Sequence, residues 1–218
     1  MKGLTEGQNI LIRQVDSLWG KTDDEEIMLD SVKSKVEDRL EKCFTHLKNK
    51  YYSNMEFQPY HSCQYAYLLY FFSNELYKKY GDTELSNKIY CTLKMCSGMD
   101  LFYQINMPEV FFFDHPVGTV MGRAQYGNKF HFVQNCTVGN NNGIFPVIGE
   151  NVTMMSGSKI LGDCKIGNNV VLAANCYVLD MDIPDNSIVY GQNPRELHIV
   201  TNKKRVDEIT YTYYKDII

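Results

Sequence analysis

The chain has 218 residues, of which 44% are apolar and 22% charged, with a formal net charge of −4 and a pI near 5.7. This apolar content excludes a disordered chain, and the length allows one or two domains. The acidic balance argues against a nucleic-acid partner, whose binders carry a basic field. The polar opening from Met1 to Ile10 has no leader character, and no apolar run reaches the ~18 residues of a membrane span. Seven cysteines, an odd number without a C-x-x-C pair, point to reduced thiols, a cytoplasmic address and no metal site.

Residues 1 to 99 read as a helical domain. In Glu6 to Trp19 the residues Ile10, Leu11, Val15 and Leu18 fall on one stripe, and Gly20 ends it. The acidic run Asp23 to Glu26 suits the positive end of a helix dipole and opens a second helix. Apolar spacing from Ile27 through Val36, Leu40 and Leu47 carries this helix unbroken to Lys50. A third helix covers Tyr60 to Tyr80, stopped by Gly81, and a fourth covers Asp82 to Met99. The aromatic side chains of Tyr65 to Tyr80 exceed the needs of one small bundle. They either pack a core or make a helix–helix contact between copies.

After an extended stretch from Leu101 to Phe113, a beat of six sets in. Tyr126, Phe132 and Val138 carry it first, then Ile148, Met154, Ile160, Ile166, Leu172 and Val178. Four residues beyond each of the first five members of the second run stand Val152, Ser158, Cys164, Val170 and Cys176. A period of six fits neither a helix nor an isolated strand, but it fits the coils of a hexapeptide-repeat parallel β-solenoid. The large residue fills the interior, the small one turns the corner, and Gly149, Gly167 and Asn168-Asn169 supply tight turns with φ > 0. Val138 and Ile148 are ten residues apart, so Gly139 to Pro146 is an insertion looped out on one face. Asp180 to Asn193 reads as turn-rich. The organisation expected is a helical domain over 1–99, a solenoid over 100–200, and a tail over 201–218 laid on the solenoid as a short strand or helix.

Two of the five histidines invite a chemical reading. His131, between Phe130 and Phe132, reads as a core or surface residue of a coil. His115 stands between Asp114 and Pro116, and Asp100 lies fifteen residues upstream, close to one coil of roughly 18 residues. A carboxylate there could orient the ring through Nδ1 and leave Nε2 to take a proton.

The stretch from Asp100 to Val138 resembles the serine acetyltransferase group of the hexapeptide acyltransferases. The likeness rests on Phe113-Asp-His-Pro-Val-Gly-Thr-Val-Met-Gly122, on the spacing of Asp100 and His115, and on Val138-Gly139 at the base of the insertion. It implies an α+β chain in which an N-terminal helical domain precedes a left-handed parallel β-helix. It also implies a homotrimer, with pairing into a hexamer through the helical domain left open, and acetyl-CoA as cosubstrate in the groove between coils. By the same resemblance His115 is the general base, Asp100 holds it, and Asp114 belongs to the acceptor site. Gly139, Ser156 and Ala174 stand where small residues admit the pantetheine arm, while Arg195, Lys203 and Lys204 could meet the CoA phosphates.

One departure shapes the expected acceptor. The family's acceptor loop ends in an Arg-His pair before a proline and reads the amino acid's carboxylate; here Ile144 and Phe145 precede Pro146. Ile cannot replace a bidentate guanidinium, and Phe145 offers a stacking face. The expectation is therefore O-acetylation of a sugar hydroxyl, in a surface polysaccharide or its precursor, with Asp114 and Phe145 touching the acceptor. Serine is the alternative, and a non-catalytic hexapeptide scaffold is the third reading. Ile218 matches the family's terminal isoleucine, which docks into a sulfhydrylase of cysteine synthesis.

Overall fold

The computed structural model describes residues 1–52, 56–193, 196–204, 206, 208 and 214. It forms two compact units, Met1–Gln104 and Ile105–Ile218. Among the described residues no helix is long and apolar enough to cross a membrane.

The first unit holds five helices, α1 (Leu4–Trp19), α2 (Asp23–Asp30), α3 (Lys33–Thr45), α4 (Ser62–Tyr80) and α5 (Glu84–Ser97), followed by the short strand β1 (Asp100–Leu101). α2 opens with a capping box in which the Thr22 side chain accepts from the Glu25 N–H and the Glu25 carboxylate accepts from the Thr22 N–H. The helix expected to run from Asp23 to Lys50 is two helices. The Ser31 hydroxyl bonds back to the Met28 carbonyl, a local bond that competes with helix propagation, and α3 restarts after Val32. The break turns Leu29, Val32, Val36 and Leu40 inward and leaves Ile27, counted on the stripe from sequence, 67% exposed.

α4 is the centre of this unit. Every residue from Cys63 to Leu76 is buried, including Tyr67, Tyr70, Phe71 and Phe72. The Arg39 guanidinium lies over the Phe71 ring at 4.2 Å and bonds Asn74 and Glu75. Of the two uses open to the aromatic surplus, core packing is the one observed, because α4 is enclosed on all sides instead of lying at the edge of a bundle.

The second unit is a parallel β-solenoid. Its strands are β2 (Phe111–Phe113), β3 (Val120–Met121), β4 (Gln125–Tyr126), β5 (Phe130–Phe132), β6 (Thr137–Gly139), β7 (Val147–Ile148), β8 (Thr153–Met154), β9 (Lys159–Leu161), β10 (Lys165–Ile166), β11 (Val171–Leu172), β12 (Tyr177–Leu179), β13 (Ser187–Tyr190) and β14 (His198–Thr201). They stack on three faces. On one, β3, β6, β9 and β12 follow one another; on the second, β4, β7 and β10; on the third, β2, β5, β8, β11 and β13, with β14 added antiparallel. Val147 pairs with Lys165 and Ile148 with Ile166, so a regular coil takes eighteen residues, three times the beat seen in the sequence.

The six large residues from Ile148 to Val178 are at most 3% exposed, and the small residues at the corners are buried as well. Apart from glycines, positive φ in the solenoid falls chiefly on asparagines, among them Asn135, Asn151, Asn169, Asn175 and Asn186, a residue whose short polar side chain tolerates the left-handed region. Asn151, Asn169 and Asn186 form a ladder up one corner, each side-chain amide donating to the next at 3.3 and 2.7 Å. Gly149 and Gly167, expected to supply φ > 0, serve a different need. A Cβ on Gly149 would stand 2.8 Å from the Gly167 carbonyl, so coils approach too closely there for any side chain.

The segment from Asp180 to Asn193, expected to be turns, contains the strand of a further coil, β13. It pairs Ile188 with Val171 at a step of seventeen, which hides it from a search for sixes. Two described residues of the tail bond to the solenoid: the Val206 N–H donates to Asn169 Oδ1, and the buried Tyr214 hydroxyl donates to the Phe130 carbonyl. Arg195 and Ile218 lie outside the described residues.

Candidate active site

The solenoid registers explain how His115 reaches solvent. Phe113 pairs with Phe132, and Val120 with Thr137, so seven residues separate the first positions of each pair and five the second. From Pro116 to Thr119 the corner repeats those below it: Thr119 N–H bonds the Pro116 carbonyl as Ser158 bonds Met155 and Cys176 bonds Ala173. The two surplus residues are therefore Asp114 and His115, a bulge set between β2 and an otherwise regular corner.

Several contacts fix that bulge. The Asp114 N–H donates to the Phe132 carbonyl at 3.3 Å and the Val117 N–H to the His115 carbonyl at 2.7 Å. Thr119, 1% exposed, donates its hydroxyl to the Val133 carbonyl at 2.9 Å. His115 itself has φ 48, although the residue before a proline ordinarily stays extended. A non-glycine residue held in the left-handed region costs roughly 1–3 kcal/mol and is a recurrent feature of functional sites. The imidazole is 83% exposed, with Nε2 3.6 Å from Asp114 Oδ1, and Asp114 is 46% exposed.

Ser156 and Ala174 stand on the same corner of the solenoid as Val117, just beyond the bulge. The Asn135 N–H meets the Val117 carbonyl, Gly157 meets that of Gln134, and Asn175 meets that of Ser156, so Val117, Gln134, Ser156 and Ala174 succeed one another coil by coil. Ala174 lines an open cavity of about 580 Å³ with Asn175, Gly191, Gln192 and Glu196. Gly139 belongs to another edge, at the end of β6, where Leu161 is its neighbour in the next coil. Lys203 is exposed. The Arg195 expectation falls outside the described residues.

The insertion after Gly139 is a hairpin. Asn141 and Ile144 exchange both backbone bonds at 3.1 and 3.0 Å across Asn142-Gly143, whose φ values are 50 and 82. Asn-Gly suits such a two-residue turn because both positions need positive φ. The Asn141 amide donates to Asp180 Oδ2 at 2.6 Å and ties the hairpin to a lower coil. Ile144 is 50% exposed, Phe145 half-buried and Pro146 buried. The Asn-Gly pair was the available sign of this hairpin.

Asp100, in the first unit, has both carboxylate oxygens engaged. The Tyr90 hydroxyl donates to one at 2.5 Å and the Lys94 ammonium to the other at 2.8 Å. Burial, then the bond to Asp100, pushes the Tyr90 phenol up to about 12, while the Lys94 ammonium's own bond to Asp100 raises Lys94. No group of three His, Cys, Asp or Glu side chains among the described residues is placed to hold a metal.

His131 is a packing residue, stacked on Phe112 at 5.2 Å, and burial pushes its imidazole down to about 4. Between that value and the ~6.5 of an unfolded histidine the unfolded chain binds the extra proton, so stability is fully present above pH 6.5 and falls as pH drops toward 4. Unfolding free energy measured in urea should drop by about 2 kcal/mol from this group between pH 7 and 4.5. His131→Gln should remove that component, and an unchanged pH profile in the variant would show that another group carries it.

Comparison with known proteins agrees with this architecture. Residues 145–180 match the family model described as bacterial transferase hexapeptide (six repeats). A serine acetyltransferase of Staphylococcus xylosus is 31% identical over 124 residues, covering 55% of this chain and 56% of that protein. The chain thus spans about half the length of the curated relatives it matches. The crystal structure of Neisseria gonorrhoeae serine acetyltransferase superposes with a TM-score of 0.72 at 17% identity, covering 95% of this chain and 82% of that one. A serine acetyltransferase in complex with CoA superposes with a TM-score of 0.63 at 20% identity, covering 78% and 72%. In sequence and in fold the chain is serine acetyltransferase-like.

Proposed function

We propose that the chain is an acetyl-CoA-dependent O-acetyltransferase whose acceptor is the hydroxyl of serine, with His115 as general base. The observation that carries this reading is the Asp114-His115 bulge, a strained and exposed imidazole on the solenoid corner that also presents Ser156 and Ala174. The relatives named as serine acetyltransferases, at 31% identity and just above, support the acceptor.

His115 Nε2 takes the acceptor's hydroxyl proton as the oxygen attacks the thioester carbonyl. The tetrahedral intermediate then expels the CoA sulfur, which recovers the proton from the imidazolium, giving an O-acetyl ester and free CoA. Asp100 is assigned its orienting role from the fifteen-residue spacing and the resemblance. Asp114, half exposed and 3.6 Å from Nε2, offers a carboxylate to an acceptor's ammonium or hydroxyl groups. By the resemblance Ser156 and Ala174 admit the pantetheine arm, Gly139 on its separate edge is left without that role, and Lys203 and Arg195 are assigned to the CoA phosphates. The working form is a homotrimer.

A sugar acceptor is the second reading, favoured by Ile144 and Phe145 on the hairpin, where an exposed apolar side chain and a half-buried ring replace groups suited to a carboxylate. A free-thiol assay with acetyl-CoA separates the two. Serine and a panel of mono- and oligosaccharides are offered in parallel to the wild type and to His115→Ala. His115-dependent thiol release with serine supports the first reading, and release with a sugar alone replaces it by the second. No release with any acceptor, together with no acetyl-CoA binding by calorimetry, leaves a scaffold protein.

A further inference from the structure

Within its column on the corner that carries the bulge, Gln134 is the long polar side chain among the described residues. Its column reads Val117, Gln134, Ser156 and Ala174 down successive coils, and the other three are apolar or small. Gln134 is half-buried, yet its carboxamide has no hydrogen-bond partner among the described residues. Its backbone is fixed, since its carbonyl accepts from the Gly157 N–H at 3.0 Å and lies 3.8 Å from Cys136 Sγ. Phe132, whose carbonyl holds the Asp114 N–H, is two residues before it.

We propose that Gln134 is a further catalytic residue, its carboxamide N–H donating to the thioester oxygen as that oxygen becomes the tetrahedral oxyanion. The proposal rests on the acetyl-transfer reading above. A developing oxyanion needs a neutral or cationic donor on a rigid element, and an amide meets both needs without competing with His115 for the proton. Gln134 forms and breaks no covalent bond. It accepts no proton and stabilises the charge only between attack and departure of the sulfur. Such a group acts on the transition state and leaves ground-state binding of acetyl-CoA nearly unchanged.

The test compares wild type, His115→Ala, Gln134→Glu and Gln134→Leu in the thiol-release assay, with thermal melting on each. Gln134→Glu keeps the shape, loses the donor and adds a negative charge. Both Gln134 variants should lose about 100-fold or more in kcat, the loss typical for an oxyanion donor, with KM for acetyl-CoA within roughly threefold. Gln134→Asn, which keeps a shorter amide, should recover part of the rate. A residue that only packs would instead lower the melting temperature and leave kcat per folded molecule intact. Wild-type turnover that depends on His115 but survives in Gln134→Glu overturns this proposal alone. A wild type with no His115-dependent turnover overturns the acetyl-transfer reading and this proposal together.

Discussion

Alanine in place of His115 should lower turnover with acetyl-CoA by at least ~100-fold, the lower bound for losing a general base. KM for acetyl-CoA should stay nearly constant, because the imidazole acts on the acceptor's proton and not on the CoA moiety. The backbone complicates this variant in a useful way. His115 sits at φ 48 ahead of Pro116, and alanine in the left-handed region is less favourable by roughly 1–2 kcal/mol. Part of an activity loss in His115→Ala could therefore come from a collapsed bulge. His115→Asn separates the two causes, since asparagine enters that region readily but cannot act as the base. Equal losses in both variants assign the effect to the imidazole. A His115→Asn enzyme within tenfold of wild type would sink the general-base role and leave the bulge as a shape feature.

The solenoid was legible because each coil assigns the same physical role to every sixth residue, and Ile148 to Val178 keep that phase without interruption. Legibility failed where coils change length. The β11-to-β13 step of seventeen concealed the last coil. The Asp114-His115 pair was visible as chemistry, but its nature as a two-residue insertion depends on the Phe113–Phe132 and Val120–Thr137 registers. The same gap hid Gln134, whose interest comes only from its neighbours in other coils. In the helical unit, Ser31 broke a helix whose apolar spacing ran on, because one side-chain bond to the Met28 carbonyl outweighed a weak propensity. The acceptor is where local residues and overall likeness point apart. Ile144 and Phe145 are two positions that speak for a sugar, whereas the likeness to proteins named serine acetyltransferases extends over 124 residues.

Phe132→Ala should cost the solenoid about 3–5 kcal/mol, the range for removing a buried aromatic side chain. Phe132 is fully buried in the coil beneath the bulge, stacked on Phe113 at 5.5 Å and 5.6 Å from Phe130. A solenoid coil is braced only by its two neighbours, so the void opened between Phe113 and Met154 cannot be refilled from elsewhere. Those neighbours are themselves tied to the ladder by backbone bonds, which limits collapse onto the space. Urea unfolding followed by the β-structure signal in circular dichroism measures the loss, and Phe132→Leu should recover most of it. The effect should also reach the site. The Phe132 carbonyl holds the Asp114 N–H, so a coil that relaxes there lets His115 leave its strained conformation. Turnover in Phe132→Ala should consequently fall below what the folded fraction alone explains. A stability loss under about 1 kcal/mol would mean that the coils close over the void. Unchanged turnover per folded molecule would mean that Pro116 to Thr119, and not Phe132, sets the position of the bulge.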